Sequence, residues 1–187
     1  MLVDDVISEC RRILNDIDKL EFSDEELLQY LNNSLDIIEN ILLNKNSSIL
    51  LDKLTLISNI NTLPLDLLRI ETIYKPSTKV ILRPTNNVEL SSSKEYLVFG
   101  NKLEILEPPC ILIYSKRFKR YNMSEEIEYD YFFNNCIKDY VVASAKSRIL
   151  DYVDLEKTVI NDMTALISRY IYSRDGLPKL KRYDDYE

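Results

Sequence analysis

The sequence predicts a mainly helical α+β fold: a four-helix bundle made of two helical hairpins, with a small antiparallel β domain inserted between them and an extended C-terminal tail. Three observations carry this expectation. Five of the six prolines, Pro64, Pro76, Pro84, Pro108 and Pro109, fall in the middle of the chain, which leaves both flanks free to be helical. The flanks carry apolar residues at intervals of three and four, the spacing of a buried helical stripe. The middle instead carries short aliphatic and β-branched runs bounded by Pro, Asn and Ser. Neither flank can bury its stripes alone, so packing the two halves together is the economical arrangement.

In the first helix, expected over residues 3–17, the stripe is Val3, Val6, Ile7, Cys10, Ile13, Leu14 and Ile17. The second helix announces its own start. Ser23 can cap it, Glu26 three residues on completes a capping box, and Phe22 with Leu27 has the spacing of a hydrophobic staple. Leu27, Leu28, Leu31, Leu35, Ile38, Ile41 and Leu42 continue the stripe to about Asn44, so residues 1–48 read as an antiparallel helical hairpin. Residues 49–121 form the inserted β region, with strands about Leu54 and Leu56, about Ile70 and Ile73, and over residues 79–82. A hairpin joins residues 96–99 to 102–105 through Gly100 and Asn101, Gly100 supplying the positive φ of a tight turn, and residues 110–114 form a further strand.

Helix returns over residues 122–173. Tyr129, Phe132, Phe133, Cys136, Ile137, Tyr140 and Val141 mark the third helix, running to about Leu150. Leu155, Val159, Met163, Leu166, Ile167 and Tyr170 mark the fourth, with Asp154 as its cap and Gly176 beyond its end. Residues 174–187 remain as a polar tail, expected to be mobile in the free protein.

Composition narrows the chemistry. The chain has no histidine, which removes the usual general base near neutral pH and the commonest zinc ligand. Its two glycines are too few for a glycine-rich phosphate cradle. A net charge of -7 argues against a DNA-coating role, because phosphate neutralisation needs surplus Lys and Arg. Cys10, Cys110 and Cys136, odd in number and widely spaced, read as reduced thiols of a cytosolic protein. No apolar run approaches the ~18 to 20 residues of a membrane span.

The phrase Arg12-Ile13-Leu14-Asn15-Asp16, followed by Phe22-Ser23-Asp24-Glu25-Glu26-Leu27-Leu28-Gln29-Tyr30-Leu31-Asn32, closely resembles the opening of head-to-tail connector (adaptor) proteins of tailed bacteriophages. The resemblance continues through Leu63-Pro64 with Leu67-Leu68-Arg69-Ile70 and into the helical pair after Tyr129, so it covers most of the chain in order. Phe22 stands where tryptophan is common in that family, and the wealth of Lys, Asn, Ile and Tyr looks like the AT-rich coding of some short-tailed or crAss-like phages. The resemblance implies a structural virion protein without catalytic activity, assembled in the host cytoplasm. It would form a dodecameric ring beneath the portal, extend the DNA channel and support tail attachment. Its implied partners are the portal protein, neighbouring copies of itself and tail or further ring proteins. DNA passes through without sequence-specific binding, and no membrane, cofactor or metal is expected. The alternative is a small helical regulatory or scaffold protein that binds a protein partner.

Two groups of residues stand out as contact candidates. Lys116, Arg117, Lys119 and Arg120, with Tyr114, Phe118 and Tyr121 interleaved, form a basic cluster suited to DNA or an acidic neighbour. In the tail, Leu177, Leu180, Tyr183 and Tyr186 are apolar anchors suited to docking on the portal or a neighbouring subunit. The carboxylate clusters Asp4-Asp5, Asp24-Glu25-Glu26 and Glu125-Glu126 fall at expected helix starts, where negative charge is favoured without any catalytic role.

Overall fold

The computed structural model describes residues 2–128, 130–150 and 153–175. The chain divides into two compact units, Met1–Ser47 with Phe118–Glu187, and Ser48–Arg117.

The helical unit contains α1 (Val3–Leu14), α2 (Asp24–Asn44), α3 (Tyr131–Leu150) and α4 (Val153–Asp175). Helix α3 is its hub and packs against α1, α2 and α4, whereas α1 has little contact with α2. The apolar stripes meet there: Val3, Val6, Ile7 and Cys10 from α1, Leu27, Leu31, Leu35 and Ile38 from α2, Phe133, Ile137 and Val141 from α3, and Met163 and Ile167 from α4 are all buried. A stripe of this spacing says that one face is buried but not against which helix, and α1 and α2 each pack on α3 rather than chiefly on each other.

The second unit holds β1 (Leu51–Leu56), β2 (Ile60–Thr62), β3 (Leu67–Tyr74), β4 (Ile81–Pro84), β5 (Glu95–Phe99), β6 (Lys102–Ile105) and β7 (Cys110–Lys116). They form one sheet in the order β1-β7-β3-β4-β5-β6-β2, nearly closed and barrel-like. Closure folds one face of the sheet onto itself, so Leu56, Leu63, Ile73, Leu82, Leu103, Ile105, Cys110, Leu112 and Tyr114 form a core of their own.

The expected four-helix bundle of two hairpins with a small antiparallel β insert is therefore wrong. The β region is a seven-stranded unit with its own core, and it is not wholly antiparallel, since β4 and β5 pair in parallel with Arg83 opposite Glu95. Strand β2 escaped the sequence reading because Ile60-Asn61-Thr62 is too short to show a period. The strand expected over residues 79–82 starts at Ile81, since Lys79 has φ 56° and lies in the preceding turn. Helix α1 also stops early. Asn15 turns left-handed at φ 59° and caps it, so Ile17 falls beyond the helix and is 65% exposed, while Ile13, still on α1, is 52% exposed. Asp154 lies inside the first turn of α4 rather than before it. The hairpin of β5 and β6 turns on Gly100 at φ 58°, with Val98 opposite Leu103.

Candidate functional site

Most of the phrase that carries the family resemblance surrounds the loop between α1 and α2. Arg11 is buried on α1 and faces that loop. Its guanidinium donates to Asp16 Oδ2 at 2.6 Å, to Asp24 Oδ1 at 2.7 Å and to the Phe22 carbonyl at 2.9 Å. Asp16, itself buried, turns the loop around its carboxylate: Oδ1 accepts from the backbone N–H groups of Leu20 and Glu21 at 2.8 and 3.0 Å, and Oδ2 from that of Phe22 at 3.2 Å. Burial alone would raise the Asp16 carboxyl, but these N–H groups and Arg11 outweigh it and hold it below the usual carboxylate range. The Lys19 ammonium, at 2.5 Å, and then Arg11 do the same for Asp24. Among the described residues Arg11 Nε has no hydrogen-bond partner.

Ser23 caps α2 as expected, its Oγ accepting from the Glu26 N–H at 3.1 Å. The reciprocal half of the capping box is missing, because the Glu26 carboxylate is engaged by the Arg148 guanidinium and by the Tyr30 hydroxyl. Arg148 also lies over the Phe22 ring, 5.4 Å from its centroid.

The basic cluster is split at the boundary between the units, Lys116 and Arg117 on one side, Lys119 and Arg120 on the other. Lys116, at the end of β7, pairs with Asp52 at 3.3 Å, and Lys119 pairs with Glu125 at 2.9 Å. Arg120 holds Asp36 and the Asn32 carbonyl. The Arg117 side chain is exposed, while its backbone N–H donates to the Asp66 carbonyl at 2.7 Å. Residues 118–121 form a strap stitched to α2 by three polar side chains spaced four and three apart. The Asn32 amide donates to the Tyr121 carbonyl at 3.0 Å and accepts from its N–H at 2.9 Å, Asp36 takes Arg120, and Glu39 accepts from the Phe118 N–H at 2.7 Å. The helical spacing of Asn32, Asp36 and Glu39 was the available signal for this strap.

The anchors Leu177, Leu180, Tyr183 and Tyr186 lie outside the described residues, as does Asp184-Asp185. Asp4, Asp5, Asp24, Glu25 and Glu26 sit in first turns of helices. All three cysteines are buried, and burial pushes the thiols of Cys10 and Cys136 up to about 12 and about 11, which suppresses the reactive thiolate. Among the described residues no group of three or more Cys, Asp or Glu is placed to hold a metal ion, and no helix is long and apolar enough to cross a membrane. Tyr170 stacks on Phe132 at 4.3 Å and donates to Asp130 at 2.5 Å, while buried Tyr140 donates to Glu156. Between α1, α3 and α4 runs an open groove of about 290 Å³. Neither the protein-family models nor the curated proteins compared with this chain give a match.

Proposed function

We propose that the chain is a non-catalytic structural subunit, a head-to-tail connector of a tailed phage. It joins a ring beneath the portal, extends the DNA channel and offers a platform to tail proteins. The observation that carries the reading is the ordered resemblance from Arg12 through the helical pair after Tyr129. Within its opening phrase, Asp16, Ser23, Asp24 and Asn32 all serve internal geometry, as suits a building part better than an enzyme. Large apolar side chains stand in solvent on the β unit, Leu65 at 99% and Val88 at 91% among them. Such residues scattered singly are ordinary, but they suit a subunit that gains neighbours on assembly. The net charge of -7, with Lys116, Lys119 and Arg120 each matched to an acid, suits a channel that DNA crosses without being gripped.

The test is negative-stain microscopy of the purified chain, alone and mixed with the portal of the same particle. Rings, or collars on the portal, are expected; a chain that stays monomeric or dimeric and never joins the portal ends the connector reading. In the same mixture, removal of residues 176–187 should weaken portal binding through loss of Leu177, Leu180, Tyr183 and Tyr186.

A further inference from the structure

We propose that the groove between α1, α3 and α4 takes the same groove of a second copy, the two chains packing end for end about a twofold axis that passes beside Val142 and Val159. Helices α1 and α4 both pack on α3 but have little contact with each other, so the slot over α3 has two walls and no cover. Its lining is largely apolar, with Ile13, Val142, Leu155, Val159 and Leu166. Leu166 is 42% exposed and Ile13 more so, and Ile149, three residues past Lys146 on α3, is 55% exposed. This face therefore keeps apolar area in water that a partner would cover.

The charges of the groove choose its occupant. Asp139, Asp162 and Lys146 line it and are exposed, and among the described residues none of the three makes an ion pair in its own chain. Helices α3 and α4 run antiparallel, as the pairs Phe132–Tyr170 and Ser144–Glu156 show. Asp139 therefore lies level with Asp162, Val142 with Val159, and Lys146 with Leu155. The acidic and basic levels are seven helical residues apart, or about 10 Å. Acid marks one end of the groove and base the other. A surface of that kind is complementary to itself when turned end for end, which is what a twofold axis does. With the axis beside Val159, Asp139 and Asp162 of each copy meet Lys146 of the other. Val142 and Val159 then face their counterparts, and Leu166 reaches the exposed Ile149. The chain's net charge of -7 opposes association at long range, so this local match has to hold the pair.

A twofold contact closes on itself, so the pair does not rest on the connector reading, whose ring grows through other surfaces. The test is sedimentation equilibrium of the full chain at ~0.15 M salt, where screening sets in beyond ~8 Å and close pairs dominate. The unaltered chain should sediment at twice its 22.0 kDa, with a Kd of about 10 μM or tighter. Lys146→Glu should weaken the pair at least about tenfold, and so should Asp139→Lys combined with Asp162→Lys, each by setting like charges together. Mixed in equal amounts, the two variants should pair again, because acid then meets base at both ends. All three positions are exposed, so the reversals leave the fold intact. Val159→Cys, beside the axis, should cross-link to its counterpart under mild oxidation, and Leu166→Cys should not. A chain that stays monomeric at about 100 μM, whether its groove is open or filled by another segment, overturns the proposal. So do self-association that both reversals leave unchanged, a mixture that fails to pair, and the absence of the Val159→Cys cross-link. A monomer that still forms collars on the portal ends the twofold pair alone, and a dimer that never joins the portal ends the connector reading alone.

Discussion

Truncating Asp16 strands the Arg11 guanidinium, because a cation buried with an acid in the folded protein must then stay buried with fewer acceptors or drag water inward. Asp16→Ala should therefore cost about 3–5 kcal/mol, read from denaturant midpoints, since it breaks a buried ion pair and leaves the guanidinium only Asp24 and the Phe22 carbonyl. The Asp16 and Asp24 carboxyls are held below their unfolded value of about 3.9, so their contribution is complete above about pH 4 and is lost as pH falls through the depressed folded values. Midpoints should fall below pH 4 in the unaltered chain and fall less in Asp16→Asn, whose side chain no longer titrates. The sequence showed Arg11 as one more polar residue beside a stripe. Its partners at 16, 22 and 24 follow no period, and only the folded loop gathers them. Ser23 was legible because its cap is made three residues away, whereas Glu26 was misassigned because Arg148, from far along the chain, takes its carboxylate.

Helix α2 lends its polar edge to the strap, and the two bonds from Asn32 to Tyr121 hold the segment that leads toward α3. Asn32→Ala should cost about 1–3 kcal/mol and raise exchange at the Tyr121 amide, because it removes both bonds from partly buried backbone groups. If the reciprocal capping box were intact, Ser23→Ala and Glu26→Ala would be coupled through one helix start. The observed geometry instead predicts that Ser23→Ala costs about 0.5–2 kcal/mol by itself. A double-mutant cycle should then show Glu26 coupled to Arg148 rather than to Ser23. The elements themselves read unevenly from sequence. Helices and the Gly100 hairpin were visible because period and turn chemistry are local. The parallel pairing of β4 with β5 was not, since it joins strands across a ten-residue loop whose residues carry no pairing code.

At the scale of the molecule the division is between a contiguous β unit and a helical unit assembled from both ends of the chain. A fragment of residues 48–117 should fold cooperatively, because its core is drawn entirely from within it. A fragment of residues 1–47 should not, and circular dichroism during urea titration separates the two outcomes. The placement of α3 sets an order of events during synthesis. Helices α1 and α2 leave the ribosome first, yet the surface that buries Leu27, Leu31 and Ile38 follows about a hundred residues later, an interval of about 5–20 s at ordinary translation rates. The β unit emerges and can close within that interval, while two greasy helices wait uncovered for their hub, so the nascent chain is most vulnerable to chaperone capture and premature clumping before residue 150 has been made.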